Sequence, residues 1–216
     1  MRTVTPIVLI LALTACARQP VDVAPAGESF MPLAVGNQWI FEEQQQYVRD
    51  SYVASRRDTV GVIAKSVHQG VEFFKLEASW PGFEEDGLWL HRGSNGNVYV
   101  SQKPQVGGTA FLIFDAEVGQ RWPLGETLHG CLSSLALLDD YAVVNTPAGR
   151  FDGAREIGGG WIDCTDFGWT ASFARGVGPV RWEAITIAGP TNWLLIEADI
   201  HDDFAGAITR RDVSGN

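Results

Sequence analysis

After residue 30, hydrophobic and polar positions alternate imperfectly with a period of two in one short segment after another, and apolar spacing typical of helices is almost absent. Gly, Pro, Asn or Asp residues bound the alternating segments, as expected of strands separated by turns. Residues 132–138 fit either a helical turn or a further strand, and Gly158-Gly159-Gly160 is predicted to be a flexible turn. The segments predicted as strands are 38–49, 59–67, 71–79, 87–92, 98–102, 109–114, 140–145, 154–158, 168–174, 179–188 and 193–200.

Short joins between the predicted strands point to an antiparallel sheet. Segments 68–70, 93–96 and 188–190 each join two strands, whereas a parallel pair needs a crossover of about a dozen residues or more. The predicted fold class is therefore all-β. We expect a single antiparallel, strongly curved sheet, either a half-barrel or a barrel-like meander, with at most short helical turns.

Aromatic residues occupy both faces of several predicted strands. Phe73 and Phe74 are adjacent and so point to opposite faces, Trp89 lies opposite two leucines, and Trp193 begins a segment that is apolar on both faces. An antiparallel sheet with one solvated face alternates more cleanly than this. The mixed pattern favours an open sheet whose concave face is partly filled, with Phe73, Trp89 and Trp193 forming an apolar-ligand face. In a closed barrel these side chains would instead cover one another.

One short phrase occurs twice. Val35-Gly36-Asn37-Gln38-Trp39 is matched by Val118-Gly119-Gln120-Arg121-Trp122, which is Val-Gly-x-x-Trp in both copies. The pattern is typical of a glycine turn that leads into a strand with a large buried aromatic residue. It indicates either a duplicated supersecondary step or chance recurrence in a chain with 24 Gly and 8 Trp.

The N-terminus has the features of a secretory leader. Arg2 supplies positive charge, and the apolar run at 6–13 is shorter than the roughly 20 residues that span a bilayer. Leu13-Thr14-Ala15-Cys16 resembles the bacterial lipobox, which implies cleavage before Cys16 and lipidation of that cysteine. The alternative is a cysteine that happens to lie near an ordinary cleavage site.

These features predict a lipoprotein signal peptide at 1–15, a lipid-anchored flexible linker at 16–29 and a single β domain at 30–216. The linker contains Pro20, Pro25 and Gly27 and has no apolar periodicity. Ala17 stands where Asp retains lipoproteins at the inner membrane of many Gram-negative bacteria. We therefore expect a periplasm-facing protein at the outer membrane.

Composition and charge limit the kinds of partner that we expect for this chain. The 216 residues are 45% hydrophobic, which excludes a disordered chain, and carry 16 Lys and Arg against 26 Asp and Glu, for a net charge of -10. A negative field repels phosphate backbones and anionic headgroups, so nucleic acid is not an expected partner. The expected partners are the lipid bilayer, through acylated Cys16, and either an envelope protein or an apolar ligand. No cofactor is expected.

Three phrases carry a resemblance to a group of bacterial secreted lipoproteins whose recurring patterns are FPL..G..W, PAGxF and YAPGVGLV. The group is similar to the half-barrel carriers of the LolA and LppX type, which implies a curved sheet. This chain departs from the pattern at Arg175, where the group has Pro, and at Pro179, where it has Leu. The group supplies no functional residues to transfer. The matching segments here are 30–33 with Gly36 and Trp39, 146–151, and 173–180 with Arg181.

Catalytic patterns are absent from the sequence. The four histidines are scattered, and neither HExxH nor GxSxG occurs. The acidic segment Asp199-Ile200-His201-Asp202-Asp203 could hold Ca²⁺, but it lacks the spaced ligands of a calcium loop and also fits a solvated turn. We therefore expect neither an enzyme nor a metal site.

Two functions remain. The first is a tethered, non-enzymatic module that binds an envelope partner or has a structural role. The alternative is a carrier or sensor of an apolar ligand, such as an acyl chain or lipid, in the aromatic-lined concave face. A contiguous apolar cleft would favour the carrier, and a filled interior would favour the module.

The remaining cysteines give the first prediction. Once Cys16 carries lipid, Cys131 and Cys164 are an even pair in an oxidising compartment, and we expect them to form a disulfide. The alternative is two separate buried thiols. Non-reducing peptide mapping should recover both residues in one linked peptide pair. Alkylation of both cysteines in the native, unreduced protein would contradict the bridge.

Overall fold

The computed structural model describes residues 29–47, 51–77, 87–124, 133–160, 167–186 and 189–201. Within these ranges the chain forms twelve strands and no helix, so it has there no helix long and apolar enough to cross a membrane. The strands are β1 (Gln38–Tyr47), β2 (Ser51–His68), β3 (Val71–Leu76), β4 (Trp89–Arg92), β5 (Val98–Ser101), β6 (Thr109–Leu112), β7 (Arg121–Pro123), β8 (Ser134–Thr146), β9 (Gly149–Gly160), β10 (Phe167–Ala174), β11 (Gly178–Thr186) and β12 (Gly189–Asp199).

All twelve strands belong to one antiparallel sheet. From edge to edge the order is β6-β5-β4-β3-β2-β1-β12-β11-β10-β9-β8-β7. The first and last strands pair in the middle of the sheet, and the two edge strands, β6 and β7, are consecutive in the chain. Pairing of β6 with β7 would complete a ring, so the sheet is a nearly closed, barrel-shaped meander. The predicted fold class is confirmed, and the sheet is closer to a barrel than to an open half-barrel.

Eleven strands overlap a predicted segment, and β7 was not predicted. β7 is three residues long and pairs with β8 over those three positions. The ambiguous segment 132–138 is strand from Ser134 onward. The predicted turn at Gly158-Gly159-Gly160 is wrong, because these residues lie in β9. A Cβ at Gly159 would overlap the carbonyl oxygen of Ser134, so glycine there permits the close approach of β8 and β9.

A series of aromatic rings fills the space between the strands. Ring centroids of neighbours in the series are 5.2 to 6.3 Å apart, and the rings meet in tilted, stacked or edge-on geometry. Burial of each large apolar side chain stabilises the fold by about 1.5–3 kcal/mol. The series therefore holds the two halves of the barrel together from inside. Its members, in order, are Phe30, Phe114, Phe173, Trp182, Trp169 and Phe111.

The two Val-Gly-x-x-Trp phrases have the same local structure. Gly36 and Gly119 both have positive φ, 99° and 85°, which glycine adopts without steric cost. Each glycine N–H donates to the next long strand, Gly36 to Val62 O on β2 at 2.9 Å and Gly119 to Leu137 O on β8 at 2.7 Å. The phrases thus begin the two six-strand halves of the sheet, β1 to β6 and β7 to β12, in the same way.

The tryptophans of these phrases are buried and donate to backbone carbonyls. Trp39 Nε1 donates to Val177 O at 2.6 Å, in the turn between β10 and β11. Trp122 Nε1 donates to Phe111 O at 3.1 Å, and this bond joins β7 to β6. The gap between the edge strands, which we call the seam, is therefore bridged by a side chain.

Residues 29–37 cover one end of the barrel. Gly176 N donates to Ser29 O at 2.9 Å, and Arg92 Nη2 donates to Met31 O at 3.0 Å. Residues 30–34 of this segment are buried, Met31 completely, whereas Val35 and Gly36 are exposed. We call this the Ser29 end; it also holds the β4–β5 and β10–β11 turns.

Gly178 and Gly107 form a matched pair for testing how tightly Trp39 packs. Both have positive φ, 97° and 87°, so alanine is strained at either position. A Cβ at Gly178 would lie 2.9 Å from Trp39 Nε1, whereas one at Gly107 meets nothing within 4 Å. We expect Gly178→Ala to lower the free energy of unfolding by about 1–3 kcal/mol more than Gly107→Ala does, measured by urea denaturation. Equal losses would contradict the packing argument.

Candidate functional site

Several predicted site residues lie outside the described residues. These are Cys16, Cys131 and Cys164, so the lipid anchor and the disulfide stay predictions. Asp202 and Asp203 also lie outside. Asp199 is exposed, and its Oδ2 lies 3.6 Å from His201 Nε2. Within the described ranges no group of three or more His, Cys, Asp or Glu could hold a metal ion, and the calcium hypothesis is untested for the full acidic segment.

The three residues of the predicted apolar-ligand face lie in different surroundings. Trp193 on β12 belongs to the main core, and its Nε1 donates to Asp58 Oδ2 at 3.0 Å. Phe73 on β3 is fully buried but lies outside that core cluster. Trp89 on β4 is half-buried. The structure therefore does not gather them into one lining, and ligand binding by these residues stays a prediction.

His91 lies on the face of the sheet opposite the core residue Leu90. Its ring packs between Phe73, at 4.9 Å, and Tyr99, at 5.0 Å and nearly parallel. Its Nδ1 is buried and has no hydrogen-bond partner among the described residues. Burial lowers the pKa of this imidazole below its ordinary value of 6.5. His91 is therefore neutral at pH 7 and acts as a packed aromatic group.

A small groove lies on the outer face of β7 to β11. It encloses about 230 Å³ and is lined mainly by apolar groups, among them Leu138, Ala136 and Ile185. This volume is below the roughly 300–1,000 Å³ typical of small-molecule sites. The groove is therefore a weaker candidate than the larger cavity at the Ser29 end.

The cavity at the Ser29 end encloses about 590 Å³ and concentrates positive charge. Arg92 comes from the end of β4, Arg155 from β9 and Arg175 from the β10–β11 turn. One carboxylate, Asp115, also lines it, so the described lining has a formal charge of +2. We call it the arginine pocket. Its lining is Ser29, Phe30, Arg92, Gly93, Ser94, Asn95, Gly96, Phe114, Asp115, Arg155 and Arg175.

An aromatic pair supports two of the guanidinium groups. Arg175 Cζ lies 4.5 Å and Arg155 Cζ 5.5 Å from the centroid of Phe30. Phe30 stacks on Phe114 at 5.2 Å. Cation–π contacts of this kind hold a planar guanidinium in a fixed orientation. Arg155 Nε is buried and has no hydrogen-bond partner among the described residues, so a donor at this site is left unused by the fold.

The β4–β5 turn forms the polar wall of the pocket and is fixed by Asp115. Asn97 Nδ2 donates to Asp115 Oδ1 at 2.6 Å, and Asn95 Nδ2 donates to Oδ2 at 3.3 Å. Asn97 Oδ1 in turn accepts from Phe114 N at 2.8 Å. Both oxygens of the one acidic group in the lining thus serve to hold the turn.

Sequence reasoning missed this pocket. Arg175 stood out only as a departure from the lipoprotein phrase, and Arg92 and Arg155 are single arginines in strands with no motif around them. Their convergence depends on the order of the strands. The one available signal was the coincidence of an arginine with a Gly-rich turn in both 92–96 and 175–178.

Comparison with known proteins finds distant likeness of fold. No family model matches the chain, and no curated protein matches it. The chain is similar to a Bacteroides fragilis protein described as exported, with a YmcC-like fold, at 12% identity and a TM-score of 0.45 over 80% of this chain and 99% of that one. It is also similar to a Parabacteroides distasonis protein described as a lipoprotein, at 12% identity and a TM-score of 0.41 with the same coverage. The resemblance to LolA- and LppX-type carriers stays a prediction.

The buried His91 predicts a loss of stability in acid. Below about pH 6.5 the unfolded chain binds a proton at His91 that the folded chain resists, so the free energy of unfolding falls until the lowered pKa of the folded state is reached. The loss is about 1.4 kcal/mol for each pH unit between the two pKa values. His91→Gln should reduce the difference in stability between pH 7.5 and 5.5, measured by urea denaturation, whereas His68→Gln, at an exposed site, should not. An unchanged difference in His91→Gln would contradict this.

Proposed function

We propose that this chain is a lipid-anchored protein of the bacterial envelope that acts by binding, without catalysis, and that the arginine pocket is its binding site. The lipobox at Cys16 supports the anchor, and Ala17 supports an outer-membrane, periplasm-facing location. The pocket supports the binding role because its volume is typical of ligand sites. The envelope partner or ligand would reach it from the periplasm.

The position of Ser29 is the observation that carries the proposal. Ser29 lines the pocket and is the last residue of the predicted linker. From Cys16 to Ser29 the chain is 13 residues long, which at about 3.1 Å per residue gives a reach of roughly 40 Å. Lipidation at Cys16 would therefore keep the rim of the pocket within roughly that distance of the bilayer. Tether and site would lie at the same end of the molecule.

The filled interior favours a binding module over the alternative of an acyl-chain carrier. The aromatic ring series from Phe30 to Phe111 occupies the space between the described strands that a carrier would leave for its cargo. Four of its members are fully buried, namely Phe111, Trp169, Phe173 and Trp182. An apolar ligand would have to bind elsewhere, for example beside the half-buried Trp89 on the outer face.

The chemistry of the pocket supports binding without catalysis. Guanidinium groups keep their protons at neutral pH and do not act as general acids or bases there. Asp115 uses both oxygens to hold the β4–β5 turn. The described lining contains neither His nor Cys, the residue types that most often activate a hydroxyl nucleophile or attack directly. The groups present recognise a ligand and have no evident means of transforming it.

The anchor is tested by changing the residues that would direct it. Cys16→Ala should block processing or release a soluble body, because no other lipidation site follows the leader. Fractionation of cells into soluble and membrane material, with mass spectrometry of the mature N-terminus, measures both effects. A Cys16→Ala protein that loses its leader and still fractionates with the membrane would overturn the anchor.

A second pair of variants tests the destination. In a Gram-negative host, Ala17→Asp should move the lipidated protein to the inner membrane, whereas Ala17→Ser, which is matched in position and small size, should leave it at the outer membrane. Density-gradient separation of the two membranes distinguishes them. Inner-membrane location of the unaltered chain would contradict the outer-membrane proposal and leave lipidation itself standing.

A further inference from the structure

We infer that the arginine pocket is a site for a phosphate group. This inference rests on the proposed binding function and names the chemistry of its ligand. The same phosphate could be the headgroup of an anionic phospholipid beside the tether or a soluble phosphate compound in the periplasm. The two sources share the chemistry and are separated by the experiment below.

The charge of the pocket matches a phosphate. Three arginines and Asp115 give the described lining a formal charge of +2, and a phosphate monoester carries about -1.5 to -2 near pH 7. Guanidinium groups bind phosphate through two parallel N–H donors, which makes arginine the usual residue for this task. A phosphodiester headgroup, with one negative charge, would match part of the pocket's charge.

Contacts within the protein orient the guanidinium groups of the pocket before a ligand binds. Arg155 and Arg175 both lie over Phe30, and Arg92 is anchored to the backbone through Met31 O at 3.0 Å. The buried Arg155 Nε has no hydrogen-bond partner among the described residues, and Arg155 itself lines the pocket. Because these side chains are already oriented, a phosphate would order few rotamers on binding, which lowers the entropic cost.

The acidic surface elsewhere does not cancel this local charge. The chain has a net charge of -10, which predicts weak long-range attraction for any anion. At physiological ionic strength, however, charges more than about 8 Å away are largely screened. A phosphate inside the pocket would interact mainly with the three arginines and Asp115. The distant acidic residues would instead discourage nonspecific binding of polyanions.

The test is calorimetric titration of the mature full chain in neutral dodecyl maltoside micelles at physiological ionic strength. The soluble probe is inorganic phosphate. The lipid probe is dihexanoyl phosphatidylglycerol, with dihexanoyl phosphatidylcholine as the zwitterionic control. We expect saturable binding of at least one anionic probe, weakened about tenfold or more by Arg155→Gln and by Arg175→Gln. Arg155→Lys should recover part of the affinity, since it keeps the charge and loses the forked geometry.

Arg57→Gln is the matched control, because it changes the net charge equally at an exposed position on β2 outside the pocket. It should leave the affinity unchanged. Circular dichroism and thermal melting check the fold of each variant; if Arg155→Gln is misfolded, Arg175→Gln carries the test, since Arg175 is exposed.

The titration distinguishes the two sources of phosphate from each other and from the absence of a phosphate site. Tighter binding of phosphatidylglycerol than of inorganic phosphate assigns the site to a lipid headgroup, and the reverse assigns it to a soluble phosphate. No saturation by either anion below about 10 mM overturns the inference, as does an equal loss of affinity in Arg57→Gln. The titration in detergent does not depend on lipidation, so a failed anchor with intact phosphate binding, or the opposite, shows which proposal is wrong.

Discussion

Closure of the seam between β6 and β7 is the constraint on which the rest of the structure depends. The two edge strands do not pair through their backbones, and the bond from Trp122 Nε1 to Phe111 O joins them instead. Both atoms are buried, so an unmade bond would leave a donor and an acceptor without partners, at a cost of about 1–3 kcal/mol each. Closure in turn creates the interior that the aromatic rings fill. Because that interior is filled, a ligand or partner would bind at the ends or on the outer surface of the barrel.

The strands were predictable because their signals are local. Period-two alternation and turn residues identify eleven of them, but β7 has three residues and is too short to show a period. The repeated Val-Gly-x-x-Trp phrase was the signal that pointed to β7, since Trp122 is its last residue. The prediction of a turn at Gly158 to Gly160 was wrong for a different reason. Glycine was interpreted as a turn residue, whereas here it allows two long strands to approach closely.

The site was not predictable, because alternation shows which face of a strand a side chain lies on but not which residues of other strands surround it. Where both faces of a strand are apolar, the sequence does not say which face meets the main core. Trp193 lies in that core and Phe73 in a separate cluster with His91, although both belong to strands of the same mixed pattern. Arg92, Arg155 and Arg175 meet only because the end of β4, the middle of β9 and the β10–β11 turn lie side by side. That meeting is a property of the topology.

A tether and a weak site support one another. A small cationic pocket on an acidic protein gains little from long-range attraction, so its affinity for a free anion in solution would be modest. A linker with a reach of roughly 40 Å would confine the pocket to a thin layer beside the bilayer and raise its effective concentration toward ligands there, to about the millimolar range for short flexible linkers. Confinement can therefore raise the occupancy of the pocket even when its affinity is modest. In the proposed arrangement, the phosphate groups that the pocket meets most often would be those within reach of Cys16, so the position of Ser29 would contribute to selectivity together with the arginines.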